Sequence, residues 1–424
     1  MPTNALINFT RYGLLALAIS QPAFAITLEQ AWQAAKTADP TYMQAQIQSQ
    51  ISQTDVATAT SVLRPSLNIT AQTSWNDDGD NQRGYGAVLT QTLWDSSAWS
   101  ALDQSQAHYV ATQLRAKAEY NHLAARLLTA YLDVASAQGD LNLAQEKWRE
   151  GGQLLQITEQ RYLAGKIRAT ELEDMRANHV DEQAALLAAQ SALASKQYAL
   201  TALINQPVDK INEINTQLSE QPTLPFATEQ QWIKLAKDNS PTLLASIQEL
   251  TAAQFAHDAA KAKYYPTLSG SVSYQSTDQG RDGDLNAGLT LSVPIDLNGA
   301  TRSSVDRAQL TILNNKQAVR KVEIDIQQEI QTRFHQLQLE WQRIEIAQQQ
   351  VLARQTALES KQAVYNAGMT EASEVITAHN ALFNSKHTLQ TRLYDYWHHR
   401  IALLKTVGKL DDESIALIAR ALQS

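Results

Sequence analysis

The amino-acid sequence predicts a mainly α-helical fold with a small β part, built from two copies of one helix–strand–strand–helix unit. Three observations support this fold class. Short signatures recur at a nearly constant offset, each half contains one pair of alternating apolar and polar segments, and a long segment without proline follows each pair. Self-similarity at a fixed offset is the mark of an internal structural repeat.

The duplication is visible in three signatures. Two of them recur 201 residues further on, and the third recurs 203 residues further on, a drift too small for chance. We therefore predict two structural repeats, residues 26–225 and 226–424. The paired signatures are Asp39-Pro40-Thr41 with Ser240-Pro241-Thr242, Pro65-Ser66-Leu67 with Pro266-Thr267-Leu268, and Tyr162-Leu163-Ala164-Gly165 with Tyr365-Asn366-Ala367-Gly368.

The first 25 residues are expected to be a cleaved signal peptide rather than part of the fold. Arg11 precedes a short apolar run at residues 13–19, and Ala23-Phe24-Ala25 matches a small-x-small cleavage pattern. The apolar run is too short to span a bilayer, which needs about 20 residues. The chain is therefore predicted to be exported.

Each copy is predicted to begin with helices and to continue into a β-hairpin. Asp39 and Ser240 are candidate N-caps, because each is followed by a proline at the first helical position. A β-hairpin is predicted over residues 66–95 and again over 267–296, because apolar and polar residues alternate on both sides of a polar tip in each segment. Strands of about 10 residues cross a bilayer when they are tilted.

A long helical hairpin is predicted after each β-hairpin, over residues 97–204 and 299–406. Ile330, Phe334, Leu337 and Trp341 show coiled-coil spacing in the second copy. A helix of some 65 residues is about 100 Å long, so it must be a rod or the stave of a tube. Gly165 and Gly368 are expected to end the first helix of each hairpin in a left-handed conformation. A C-terminal segment, called equatorial here, closes the second copy.

Composition excludes several function classes. The chain has no cysteine, and its formal net charge of −8 argues against nucleic acid as a partner. No nucleotide loop, nucleophile–base pair or zinc signature is present. We expect no catalytic residue, no cofactor and no metal, and therefore no enzyme.

The strand count predicts an oligomer. Two β-hairpins supply four strands, too few to close a barrel, and open strand edges are not tolerated in lipid. Several chains should therefore share one barrel, whose helices continue into a tube of coiled coils. Three chains would give a 12-stranded barrel, and the pattern alone also allows two or four chains. A different class, a periplasmic coiled-coil adaptor or structural protein, would also carry helical hairpins.

Over essentially all of its mature length the chain resembles the TolC family of outer-membrane efflux and secretion channels. The resemblance rests on the order and duplicate spacing of the signatures above, together with Gln91-Thr92-Leu93-Trp94-Asp95, Val293-Pro294-Ile295, Ala381-Leu382-Phe383-Asn384-Ser385-Lys386 and Gly408-Lys409-Leu410. It implies a homotrimer in the outer membrane, a 12-stranded β-barrel in contact with outer-membrane lipid, and an α-helical coiled-coil barrel that extends through the periplasm.

The resemblance also implies partners and a passive function. A periplasmic adaptor (membrane fusion protein) and an inner-membrane pump of RND, ABC or MFS type would dock at the hairpin turns near Gly165 and Gly368. The chain would be the exit duct of a tripartite efflux pump for small molecules. Alternatively, it would be the outer-membrane component of a type I protein secretion system.

Candidate residues for the periplasmic aperture follow from the same resemblance. A Thr-Asp pair of the family pattern corresponds to Thr170 and Glu171, its tyrosine to Tyr365, and its first ring acid to Glu374. The arginine of the pattern is replaced by Thr370, and the second ring acid by Thr377. Three copies of Glu374 would place like charges at the axis and favour cations. Alternatively, Glu374 is a solvated helix residue.

Three tryptophans are candidates for an aromatic girdle at the membrane edge, namely Trp75, Trp94 and Trp99. Trp99 follows the strands and falls within the predicted helix, so packing in the protein core is an equally good interpretation of that residue.

Overall fold

The computed structural model describes residues 26–75, 82–208, 210–211, 221–222, 224–278 and 283–423. The expected signal peptide at residues 1–25 lies outside the described residues. The described residues form a mainly helical structure with one four-stranded antiparallel sheet.

The two halves of the chain contribute the same series of six elements, and the second half ends with an additional helix. The first half contains α1 (Leu28–Ala38), α2 (Pro40–Ser61), β1 (Ser66–Ser74), β2 (Gln82–Trp94), α3 (Ser96–Leu163) and α4 (Ala169–Ile204). The second half contains α5 (Glu229–Asn239), α6 (Pro241–Ala262), β3 (Thr267–Thr277), β4 (Asp284–Ser292), α7 (Ala300–Asn366), α8 (Ala372–Thr406) and α9 (Asp412–Gln423).

Helix α2 begins at the predicted cap and proline. Asp39 accepts a hydrogen bond from the backbone N–H of Tyr42 at 2.8 Å, and Arg126 donates to the same carboxylate oxygen at 3.0 Å. Ser240 holds the equivalent position before α6, but its side chain makes no capping hydrogen bond. Ser240 is therefore the N-cap residue of α6, as predicted, without a side-chain hydrogen bond, and Pro241 begins the helix.

The sheet has the strand order β1-β2-β3-β4, so β1 and β4 are its edges. The pairs Leu67↔Leu89, Leu89↔Val272 and Leu268↔Leu291 place these residues on one face, because directly paired side chains point to the same side. Most large apolar side chains of this face are exposed; they include Leu67, Ile69, Tyr85, Leu89, Val272, Tyr274, Leu285, Leu289 and Leu291. The opposite face carries mainly polar and small residues; they include Asn68, Thr70, Gln72, Ser271, Ser273, Gln275, Asn286 and Thr290.

Helix α3 is the central element of the helical part. It has 68 residues, about 100 Å at 1.5 Å per residue, and it packs against α2, α4, α6 and α8. The predicted apolar stripe on α7 is buried, as is a matching stripe on α3. These stripes meet in the main core, which includes Leu123, Leu127, Tyr131, Ile330, Phe334, Leu337 and Trp341.

A second, smaller core lies near the turns of the helical hairpins. Leu154, Met175, Leu358, Tyr365 and Val375 are buried there, and they come from α3, α4, α7 and α8. The two helical hairpins are therefore packed against each other near their turns. Within the described part of the chain, no helix is apolar enough over a sufficient length to cross a membrane.

Candidate gate at the turns of the helical hairpins

The two helical hairpins turn in the same way. Gly165 has φ +67° and Gly368 has φ +77°, values in the left-handed region that glycine adopts without a steric penalty. The N–H groups of Gly165 and Gly368 donate to Tyr162 and Tyr365 carbonyls at 2.8 and 2.9 Å. These bonds satisfy carbonyls at the helix ends. Each turn presents a large apolar side chain to solvent, Leu163 and Met369 respectively, which are 83% and 74% exposed.

Tyr365 connects the two hairpins. Its side chain is 3% exposed, and the guanidinium of Arg161 lies 4.2 Å from the centre of its ring. Arg161 also donates to the backbone carbonyl oxygen of Tyr365, and the Tyr365 hydroxyl lies 3.3 Å from the hydroxyl of buried Thr158. Arg161 and Thr158 belong to α3 and Tyr365 to α7, so this contact ties the first long helix to the second.

Arg168 forms a second link between the hairpins. Its guanidinium donates to Glu171 at 3.3 Å and to the carboxylate of Glu371, the residue that precedes α8. Hydrogen bonds to Glu171 and Glu371 raise the pKa of Arg168 above its usual range. Glu171 in turn accepts from the backbone N–H of Ala372 at 3.3 Å. A carboxylate at a helix N-terminus is stabilised by the free N–H groups there.

The remaining aperture candidates do not join this network. Glu374 is half-exposed and pairs with Lys361 of α7 at 2.6 Å. Thr377 donates to the carbonyl oxygen of Ser373 at 2.8 Å, an ordinary contact within a helix. Thr170 is exposed in the first turn of α4, and Thr370 is partly exposed in the turn before α8. Their role at an aperture stays a prediction.

Sequence reasoning missed Arg161, Arg168 and Glu371. Arg168 and Glu371 lie 203 residues apart, the same offset as Gly165 and Gly368. Comparing the two copies residue by residue would have shown opposite charges at equivalent positions. No comparable signal distinguishes Arg161, because an arginine on a long polar helix is usually solvated.

The girdle candidates are exposed at two levels of the sheet. Trp75 follows β1 at the end near the β-hairpin turn, and Trp94 closes β2 at the end near the helices. They are 73% and 59% exposed. Trp99 is 53% exposed in the first turn of α3, so it is not packed in the core of this chain.

In each half of the chain a β-hairpin is joined to a long helical hairpin. This arrangement defines a class of protein, the outer-membrane channels. A solved structure of the outer membrane protein VceC from Vibrio cholerae has the same fold, with a TM-score of 0.79, 16% identity and coverage of 90% of this chain and 96% of that chain. The outer membrane protein TolC of Vibrio cholerae is 23% identical and covers 94% of each chain.

A third similar protein is the alkaline protease secretion protein AprF of Pseudomonas aeruginosa, 22% identical over 96% of this chain and 90% of its own length. The family described as Outer membrane efflux protein matches residues 31–206 and 232–409 of this chain. The chain therefore belongs to that family, the TolC family of outer-membrane channels. It is an outer-membrane protein that extends into the periplasm and not an enzyme.

Proposed function

We propose that three copies of this chain form a passive exit duct, with a 12-stranded barrel in the outer membrane and a helical tube in the periplasm. The observation that carries this proposal is the exposed apolar face of the sheet. Side chains such as Leu67, Ile69 and Leu289 are 63%, 73% and 73% exposed, which is unfavourable in water and favourable in lipid. Trp75 and Trp94 then fit the two membrane–water interfaces.

Two unpartnered surfaces support the association of copies. Strands β1 and β4 are edges whose backbone groups need partners in lipid. On the helices, Val180 and Leu187 of α4 are exposed seven residues apart, as are Leu339 and Ile346 of α7. Seven-residue spacing is typical of coiled-coil seams. An edge strand and an exposed apolar helix face in each half of the chain allow head-to-tail contacts between copies, and such contacts can close into a ring.

The duct would receive its cargo at the hairpin turns. Leu163 and Met369 are exposed apolar residues beside Gly165 and Gly368, and they suit a periplasmic adaptor that links the duct to an inner-membrane pump of RND, ABC or MFS type. Because the chain has no cysteine, single cysteines at residues 163 and 369 can be cross-linked in whole cells. Capture of an adaptor from both positions is expected, and capture from exposed Tyr198 instead would contradict docking at the turns.

Membrane location and oligomeric state test the duct itself. Heat-modifiable trimers in the outer-membrane fraction that form channels in planar bilayers are the expected result. A soluble periplasmic monomer would exclude the duct and favour an adaptor or structural protein.

Small-molecule efflux is the cargo class that we propose, in line with the family description. A type I secretion role is the second candidate, because the similar protein AprF is described as a protease secretion protein. Deleting the gene distinguishes the two: increased sensitivity to small toxic compounds with an unchanged set of secreted proteins supports efflux, and loss of one secreted protein with unchanged sensitivity supports secretion.

A further inference from the structure

A buried group of ionisable side chains lies where α8 packs against the first helical hairpin. His379 of α8 is 1% exposed, and its Nδ1 atom lies 3.4 Å from Glu182 of α4. Its other ring nitrogen, Nε2, lies 3.5 Å from Glu150 of α3. Neither ring nitrogen makes a hydrogen bond to any described residue. The imidazole therefore stands between two carboxylates that belong to different helices.

Glu182 is itself 3% exposed and only partly satisfied. Asn178 donates to its Oε1 atom at 2.8 Å, whereas its Oε2 atom has no hydrogen bond to a described residue. His179 lies 3.5 Å from that Oε2 atom and stacks on Trp148 of α3. Burying a carboxylate without enough hydrogen-bond donors costs free energy. The Oε2 atom of Glu182 therefore needs a further hydrogen-bond donor.

The backbone of α3 is shaped to admit Glu182. A Cβ atom on Gly151 would lie 1.8 Å from Glu182 Oε2, so only glycine leaves room for the carboxylate in this position. The neighbouring Gly152 faces His179, and a Cβ atom on Gly152 would lie 3.3 Å from the Cε1 atom of that ring. The glycine pair in α3 is thus part of the same arrangement.

Solvent reaches this group at Glu150. Glu150 is 31% exposed and lines a cavity of about 370 Å³ between the hairpins, together with Arg149 of α3. The α7 side chains that line the cavity are neutral; they are Gln355, Leu358, Gln362, Tyr365 and Asn366. The carboxylates placed directly against His379 are Glu150 on α3 and Glu182 on α4. His179 of α4 lies against Glu182, and Arg149 of α3 and Tyr365 of α7 line the cavity that Glu150 borders. Protons can reach the imidazole by way of Glu150.

The protonation state of His379 decides how many carboxylates it can bind. A neutral imidazole has one N–H donor, whereas the imidazolium has two. Only the imidazolium can donate to Glu182 and Glu150 at the same time.

We propose that His379 is a proton-controlled link between the two helical hairpins: proton uptake lets its imidazolium bind Glu182 and Glu150 and hold α8 against α3 and α4. The link lies within one chain, so it does not depend on the number of chains in the proposed duct. Acidification of the periplasmic side then strengthens the packing of the hairpins and opposes their separation.

Hydrogen exchange of the backbone amides of α8 tests this link. The full-length protein in detergent is compared with His379→Gln at about pH 5.5 and about pH 8, on either side of the ordinary range of histidine titration. The ratio of exchange rates, variant over parent at the same pH, is expected to be about tenfold at the acid pH and below about twofold at the alkaline pH. Equal ratios at the two pH values would overturn the proposal.

A matched control and a second variant complete the test. His387 lies on the same helix, 58% exposed, and pairs with Asp140 at 2.9 Å, so His387→Gln should leave the exchange near residue 379 unchanged at both pH values. The double variant Glu182→Gln with Glu150→Gln keeps the shape of both carboxylates and removes their charges, and it should abolish the acid-dependent protection even if His379→Gln fails to fold. Acid-dependent protection that survives in this double variant would contradict the link.

Discussion

The guanidinium of Arg161 lies over the ring of Tyr365, 4.2 Å from its centre, and joins α3 to α7 one turn away from the exposed hairpin turns. The same arginine donates to the backbone carbonyl oxygen of Tyr365. The packing of the two hairpins near their turns is thus held by a contact inside one chain, and substitutions at this pair should report on separation of the hairpins.

Replacing Arg161 with alanine should loosen the turns. The cation–π contact and the hydrogen bond together are expected to contribute about 1–3 kcal/mol, and the mean open time of channels in planar bilayers should rise about tenfold. Arg354→Ala on the same long helix as Tyr365, at an exposed position, serves as the control. Identical gating in both variants would show that the Arg161–Tyr365 contact does not restrain the turns.

Exchanging the charges of Arg168 and Glu371 tests the second link. Arg168→Glu places three acidic side chains together and should increase conductance, whereas the double variant Arg168→Glu with Glu371→Arg should recover most of the parent value. Both side chains are largely exposed, so the effect should weaken as salt is raised. A double variant that conducts like Arg168→Glu alone would refute a direct pairing.

Glu374→Ala should change single-channel conductance or cation selectivity, if three copies of Glu374 line the constriction. Lys361 pairs with this carboxylate at 2.6 Å, so Lys361→Ala should shift selectivity further toward cations by leaving the negative charge uncompensated. Reversal potentials in a salt gradient across a planar bilayer measure the selectivity of both variants. Unchanged conductance and selectivity in Glu374→Ala would remove this residue from the constriction.

The two adjacent glycines of α3 should respond differently to alanine. Gly151→Ala displaces the buried carboxylate of Glu182 and is expected to destabilise the protein by about 1–3 kcal/mol. Gly152→Ala meets only a slight crowding at His179 and gains helix propensity, so its effect should lie within about 1 kcal/mol of zero. Thermal unfolding of both variants gives the comparison, and equal destabilisation would contradict the packing described for Gly151.

Docking of the C-terminal helix should depend on pH through Asp412, the first residue of α9. Hydrogen bonds from Tyr120 and Trp32 lower the pKa of Asp412. The pKa of Asp412 is lower in the folded protein than in the unfolded chain. The stability that this carboxylate contributes is therefore present above the ordinary aspartate pKa of about 4, and it is lost as the pH falls from there through the pKa of the folded state.

Proteolysis of α9 measured between about pH 3 and pH 7 checks this dependence. Release should increase at the acid end in the parent protein. Asp412→Asn should release α9 more readily than the parent at neutral pH, with a weaker dependence on pH. Acid release that is unchanged in this variant would point to another carboxylate.

The fold was largely predictable because its elements are marked locally. Prolines at the first helical position, alternation in the strands and heptad spacing each depend on near neighbours in the sequence. Pro40, Pro241 and Gly165 have the structural positions expected of them.

The candidate gate was less predictable because its contacts are made between helices far apart in the chain. Arg161 reaches Tyr365 and Arg168 reaches Glu371 only through the packing of one hairpin on the other. The burial of Glu182 and His379 is equally invisible in the sequence, since polar residues on long helices are usually solvated.

The opposite charges of Arg168 and Glu371 have a consequence for symmetry. A ring of six identical units carries the same residue at a given position six times, so an arginine there would meet only arginines. Joining two units in one chain removes this restriction. In the proposed ring of three chains, positive and negative side chains would alternate around the circumference, and each arginine would have an acidic neighbour on both sides. Fusion of the two units thus permits an alternating collar of charge that a homohexamer cannot build.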